Sequence, residues 1–141
     1  MTWSILARDP ATGALGAAVA SRFFAVGAIC ITVEGGVGAM STQALVNPLH
    51  TIAAMPRLRA GTAPQTILDG LLHGDPGRSQ RQVHLLDAQG RLAQHTGPDC
   101  ITWAGRVKGE NVSVAGNMLA APRVVQATMD AFLAAKGSLT E

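Results

Sequence analysis

Apolar positions in the first third of the chain fall into short runs broken by glycine, proline and asparagine, a pattern of strands rather than long helices. Residues 3–8 and 14–22 predict two strands joined by Asp9-Pro10-Ala11-Thr12-Gly13, with proline and glycine where a turn wants them. Setting Arg8 opposite Ala14 places Thr2 opposite Ala20, beside Ser21 and Arg22, to within one position. A third apolar run, Gly27 to Val33, reads as a buried strand. Glu34-Gly35-Gly36-Val37-Gly38 is a glycine turn into a fourth strand, Ala39 to Leu45, which Asn47-Pro48 ends.

The period then changes. Helical spacing runs from His50 to Arg59, and a second helix starts at Pro64, carrying Ile67, Leu68, Leu71 and Leu72 at helical intervals. Gln82 to Leu86 and Arg91 to His95 predict a hairpin around Asp87-Ala88-Gln89-Gly90, with Gly90 in the left-handed position of a bulged turn. Short strands are expected over 100–104 and 111–115. A last helix from Pro122 to about Ala135 is expected to bury Val125, Met129, Phe132 and Leu133. Strands and helices are grouped, without βαβ alternation. That order predicts an α+β fold with largely antiparallel sheets, the hairpin sheet being covered on both faces.

Composition narrows the functional classes. The 141 residues fit one domain, large enough to fold without disulfide staples. With 48% apolar and 14% charged residues the chain is no disordered segment, and two Trp and three Phe leave the core to aliphatic side chains. A net charge of +2 without a basic, aromatic-interleaved stripe argues against a nucleic-acid partner. No run approaches the ~20 apolar residues of a membrane span, and the start lacks the layout of a signal peptide. Cys30 and Cys100 are widely spaced in apolar contexts, as expected of buried free thiols in a reducing cytoplasm.

Several apparent motifs carry no chemistry. Gly35-Gly36-Val37-Gly38 has neither the dinucleotide nor the P-loop spacing and reads as a structural turn. His84 and His95 share the hairpin but point to opposite faces, and no cysteine or carboxylate spacing completes a metal set. Nothing near Cys100 supports a cysteine–histidine pair.

Thr2 has a position with chemical meaning. Methionine aminopeptidase removes Met1 when so small a residue follows, leaving a free α-amine and a hydroxyl on one residue. The amine titrates near ~7.7–8 and can take the hydroxyl proton, directly or through one water. Arg22 beside it would lower that pKa by like-charge repulsion. The bland alternative is an incidental Met-Thr start.

Longer stretches carry a resemblance. Thr2-Trp3-Ser4-Ile5-Leu6-Ala7-Arg8, Ala20-Ser21-Arg22-Phe23-Phe24-Ala25-Val26-Gly27, Thr42-Gln43 with Asn47-Pro48, Asp87-Ala88-Gln89-Gly90-Arg91, His95-Thr96-Gly97 and Gly116-Asn117-Met118-Leu119 occur in order through the chain. Together they resemble the bacterial and archaeal family called domain of unknown function 1028. That family is placed in the N-terminal-nucleophile (Ntn) hydrolase superfamily, and some of its members carry a peptidoglycan-binding domain. The resemblance implies a four-layer αββα sandwich and an amide hydrolase whose nucleophile, carried onto this chain, is Thr2. Ser21 and Arg22 would support it, and Thr42, Gln43 and Asn117 are candidate substrate or oxyanion donors.

Turn stabilisation and the satisfaction of buried backbone are equally good roles for Thr42, Gln43 and Asn117. Ala115 departs from the family, where glutamine usually precedes Gly-Asn-Met-Leu. Relatives also continue beyond Glu141, so the sandwich is expected to be incomplete at the C-terminus, with an edge that a homo-oligomer could cover. The expectation is therefore a cytoplasmic Ntn-type hydrolase acting on a small amide or peptide-like ligand, with no cofactor, metal, membrane or nucleic-acid partner. The alternative is a non-catalytic Ntn-like module for a cell-wall or peptide ligand, or an inactive truncated copy.

Overall fold

The computed structural model describes residues 1–139. Thr140 and Glu141, where the expected early end falls, lie outside the described residues. The chain forms β1 (Thr2–Arg8), β2 (Leu15–Ser21), α1 (Val26–Cys30), β3 (Ile31–Glu34) and β4 (Gly38–Ala44). It continues as α2 (Pro48–Arg59), α3 (Pro64–His73), a 3-10 turn at Arg78–Gln80, β5 (Arg81–Asp87) and β6 (Leu92–Thr96). It ends with β7 (Gly105–Gly109), β8 (Val112–Asn117) and α4 (Arg123–Ala134). This is a mixed α/β domain with two four-stranded antiparallel sheets, in the orders β2-β1-β8-β7 and β3-β4-β5-β6, and four helices.

The sheets pack face to face through β1, β4, β5 and β8, and the short α1 touches strands of both. α2 and α3 lie on the second sheet, where Ala54, Met55, Leu58, Ile67 and Leu68 meet Met40, Val83 and Leu85. α4 lies on the first sheet, bringing Val125 and Met129 against Ala7, Val112 and Val114. Strand alternation makes each sheet two-sided. Trp3, Ile5 and Ala7 face α4, while Thr2, Ser4 and Leu6 face the other sheet.

Local chemistry sets the element ends. The Asn47 side chain accepts from Leu49 N at 3.2 Å and caps α2, with Pro48 at the first helical position. At the β5–β6 turn Gly90 has φ 82°, and the buried Asp87 carboxylate accepts from the backbone of Gln89 and Arg91 at 3.0 and 2.8 Å.

Three expectations fail locally. Gly27 to Val33 is not one strand: Val26–Cys30 is helical and only Ile31–Glu34 is extended. Ala25, at φ 53°, turns the chain, and the consecutive β-branched residues begin only at Ile31. The strand expected over 100–104 is displaced to Gly105–Gly109. Ile101 and Trp103 instead form backbone bonds to Met118 and Leu119, outside the regular ladder, and the Trp103 ring lies so close over Gly105 that no side chain fits there. Leu133, expected in the core, is 63% exposed. At about 100° per residue it sits some ~80° round the helix from Val125.

Candidate functional site

Thr2 starts β1 between two neighbours, opposite Ser21 on β2 and Asn117 on β8. The hairpin closes with Arg8 opposite Leu15, one position from the sequence expectation, because Asp9 N bonds to Ala14 O at 2.8 Å. That single step brings Ser21, not Ala20, level with Thr2. The two hydroxyl oxygens are 2.9 Å apart. Ser21 Oγ donates to Met1 O at 3.0 Å and accepts from Phe23 N at 3.1 Å. A serine hydroxyl has one proton, and here it is committed to Met1 O. The Thr2 hydroxyl is therefore the donor of the Thr2–Ser21 bond.

Asn117 leads from this edge into a buried polar layer between the sheets. Its Nδ2 donates to Gln82 Oε1 at 3.1 Å, which also accepts from Gln43 Nε2 at 2.8 Å. Gln82 Nε2 donates to Gly116 O, Thr96 Oγ1 and Gly105 O at 2.9–3.1 Å. Ser4 Oγ donates to Gln43 Oε1 at 2.8 Å and lies 2.8 Å from His84 Nε2. His84 Nδ1 is 2.6 Å from Ser113 Oγ, which accepts from Gln94 Nε2 at 2.8 Å. Since the Ser4 proton goes to Gln43, His84 carries its proton on Nε2 and accepts at Nδ1 from Ser113.

Ser4–His84 thus resembles a nucleophile–base pair with the polarity reversed, the imidazole donating to the serine. Both residues are wholly buried. Burial lowers the His84 pKa to about 3, keeping the ring neutral at neutral pH. This pair is structural.

The remaining residues singled out from sequence separate clearly. Thr42 and Gln43 point to opposite faces of β4. Gln43 joins the polar layer, while Thr42 Oγ1 accepts from Asn47 N at 3.3 Å and is fully buried. Arg22 follows Ser21 as an exposed residue, and its side chain makes no hydrogen bond or ion pair among the described residues. His95 faces away from His84, with Nε2 2.8 Å from Arg78 O. Cys30 and Cys100 are free, buried thiols whose pKa values burial raises. Among the described residues no three or more histidine, cysteine or acidic side chains converge in a way that could hold a metal ion.

Beside Asn117 a cleft of about 210 Å³ opens between Ala44-Leu45, Gln80, Asp99-Cys100-Ile101 and Met118. Behind it, Arg81 donates to the Asp75 carboxylate at 2.7 and 3.0 Å and to the backbone carbonyls of Leu45 and Val46. The Arg81 hydrogen bonds hold the Asp75 carboxyl down at about 2. His50 Nε2 lies 3.1 Å from the same carboxylate, and burial pushes its pKa down. This cluster fixes one wall of the cleft. A wider groove of about 670 Å³ lies at the other end of β1, beside Arg8, Asp9 and Phe132.

From sequence, Ser4, Ser41, Gln82, Ser113 and the cleft have no assigned role, and His84 is weighed only as a metal ligand. A signal was present: Ser41-x-Gln43, Gln82-x-His84 and Ser113-x-Ala115-x-Asn117 place polar residues on one face of otherwise apolar strands.

Two facing antiparallel sheets and four helices define a small mixed α/β domain, with a threonine–serine pair at one sheet end. The chain belongs to the family of unknown function DUF1028, whose sequence model matches residues 2–141. It is similar to the crystal structure of a DUF1028 protein from Silicibacter pomeroyi, with a TM-score of 0.93 and 31% identity. The match covers 99% of this chain and 62% of that one, so the chain spans under two thirds of that relative's length. No curated protein matches it. Among the described residues no helix is long and apolar enough to cross a membrane.

Proposed function

We propose that this domain is an amide hydrolase of the N-terminal-nucleophile type, with Thr2 as nucleophile once Met1 is removed, and that its layering is the αββα arrangement of that class. The observation that carries this reading is the 2.9 Å Thr2 Oγ1–Ser21 Oγ bond at the start of β1, with Ser21 Oγ also 3.0 Å from Met1 O. Loss of Met1 does two things there. It exposes the α-amine of Thr2, and it frees the Ser21 proton to point back at Thr2 Oγ1.

In the reaction, the Thr2 oxygen attacks the carbonyl carbon of an amide, and its proton passes to the α-amine. Collapse of the tetrahedral adduct breaks the C–N bond, the amine delivers the proton to the leaving nitrogen, and a threonyl ester remains. Water, deprotonated by the same amine, cleaves the ester, and the proton returns to the Thr2 oxygen. Ser21 donates to Thr2 Oγ1 as negative charge grows on it. Asn117 Nδ2 spends one proton on Gln82 and carries a second that can meet the oxyanion. Arg22, the exposed residue that follows Ser21, is proposed as a supporting residue of the same edge.

A second reading, a non-catalytic Ntn-like binding or scaffold module, is favoured by one observation: no lysine or aspartate bonds to Thr2 among the described residues. Labelling by an electrophilic β-lactone separates the two. Protein whose intact mass shows loss of Met1 is expected to take up one label, and Thr2→Ala none. Equal labelling of both, or retention of Met1 in protein from the native host, would exclude Thr2 as the nucleophile.

A further inference from the structure

The cleft beside Asn117 has a lining that selects a ligand. Its volume, about 210 Å³, falls below the ~300–1,000 Å³ of sites for drug-sized molecules, so it fits one amino-acid residue rather than a long peptide. Three of its walls are apolar side chains open to solvent: Leu45, Ile101 and Met118, at 48, 63 and 47% exposure. The backbone bond from Met118 N to Ile101 O, 2.9 Å, holds two of these walls together. Asp99 also lines the cleft, and its carboxylate has no hydrogen-bond or ion-pair partner among the described residues. The nearby cation Arg81 is already committed to Asp75. Apolar walls around one unpaired anion suit a ligand with an aliphatic body and a cationic head.

The chain itself carries one group of that chemistry. Met1 is an apolar aminoacyl residue in amide linkage to Thr2. Its ammonium nitrogen lies 3.6 Å from Sδ of the cleft residue Met118, and its carbonyl oxygen is held by Ser21 at 3.0 Å.

We infer that, once Met1 is gone, this cleft is a subsite for the aminoacyl side of the substrate: an α-amino-acid amide with a free ammonium group and an aliphatic side chain. Asp99 pairs with the ammonium, while Leu45, Ile101 and Met118 cover the side chain. Asn117, shared by cleft and Thr2 edge, keeps the amide carbonyl next to the nucleophile. The assignment of this ligand as substrate rests on the Thr2 reading; its binding does not.

The test uses leucinamide on the Thr2→Ala variant lacking Met1, so that binding is read without turnover. Methyl NMR signals of Ile101 and Met118 are expected to shift on titration. Acetylating the leucinamide amine, or replacing Asp99→Asn, is expected to weaken binding about fivefold, and glycinamide is expected to bind more weakly than leucinamide. Asp99 is exposed, so the Asn variant keeps its fold. Equal affinity for leucinamide and N-acetyl-leucinamide, or no shift at Ile101 and Met118, would overturn the subsite. If instead leucinamide binds as expected while wild-type protein lacking Met1 resists the β-lactone, the subsite stands and the Thr2 reading fails.

Discussion

The outer faces of the two sheets and the space between them are built on opposite principles. Outside, Ile67, Leu68 and Leu58 on one sheet and Val125 and Met129 on the other meet apolar strand residues, and stability comes from apolar area removed from water. Between the sheets, an apolar group around Leu6, Ala39 and Leu86 gives way to Ser4, Gln43, Gln82, His84, Ser113 and Asn117 joined by hydrogen bonds. An apolar layer tolerates small shifts of one sheet over the other. A bonded layer does not, because each buried donor or acceptor that loses its partner costs about 1–3 kcal/mol. The polar layer therefore fixes the register of the sheets at the end where Thr2, Ser21 and Asn117 meet.

Substitutions on the two sides break the comparison differently. Leu68→Ala, in the helix-covered core, is expected to cost most, about 2–5 kcal/mol in a denaturant titration, through lost burial and the cavity left behind. Gln82→Ala is expected to cost about 2–3 kcal/mol by the same measurement, because it takes the partner from Asn117 Nδ2 and Thr96 Oγ1 and one of two acceptors from Gln43 Nε2. Gln82→Met, which restores volume without polarity, should recover little of that loss; full recovery would show that packing, not bonding, governs the layer.

His84 sharpens the contrast through pH. In the unfolded chain a histidine protonates near ~6.5, whereas folded His84 stays neutral until about pH 3. Between those values the unfolded state holds the extra proton, so stability falls as pH falls, by up to ~1.4 kcal/mol per pH unit from this residue. Urea midpoints measured from pH 7 to pH 4 are expected to show a shallower slope for His84→Gln than for wild type. The smallest effect belongs to the surface: Arg59→Ala removes an exposed pair with Glu34 and should change stability by less than about 1 kcal/mol.

Much of this molecule was legible in its amino-acid order. The β1–β2 hairpin, the glycine turn before β4, helices α2 to α4 and the bulged turn at Gly90 all follow from local rules. Period, turn residues and the fixed geometry of Asn-Pro act within a few positions of one another. Val26–Cys30 escaped those rules because its direction depends on Ala25 at φ 53°, a conformation that alanine does not advertise. The 100–104 segment escaped because its partners, Met118 and Leu119, lie well beyond it in sequence.

For the candidate site, the sequence determined that Thr2 opens a strand and that its neighbour across the hairpin lies at or beside Ala20. Which hydroxyl stands opposite was decided by one backbone bond, Asp9 N to Ala14 O, since a step of one residue turns a strand's side chains over. Asn117 beside Thr2, the Gln43–Gln82–His84 layer behind it and Asp99 in the cleft came only with the tertiary structure. These residues come from β4, β5, β8 and the segment after β6, and only the pairing of strands and the stacking of two sheets brings them within hydrogen-bond range of each other or to the same end of the domain.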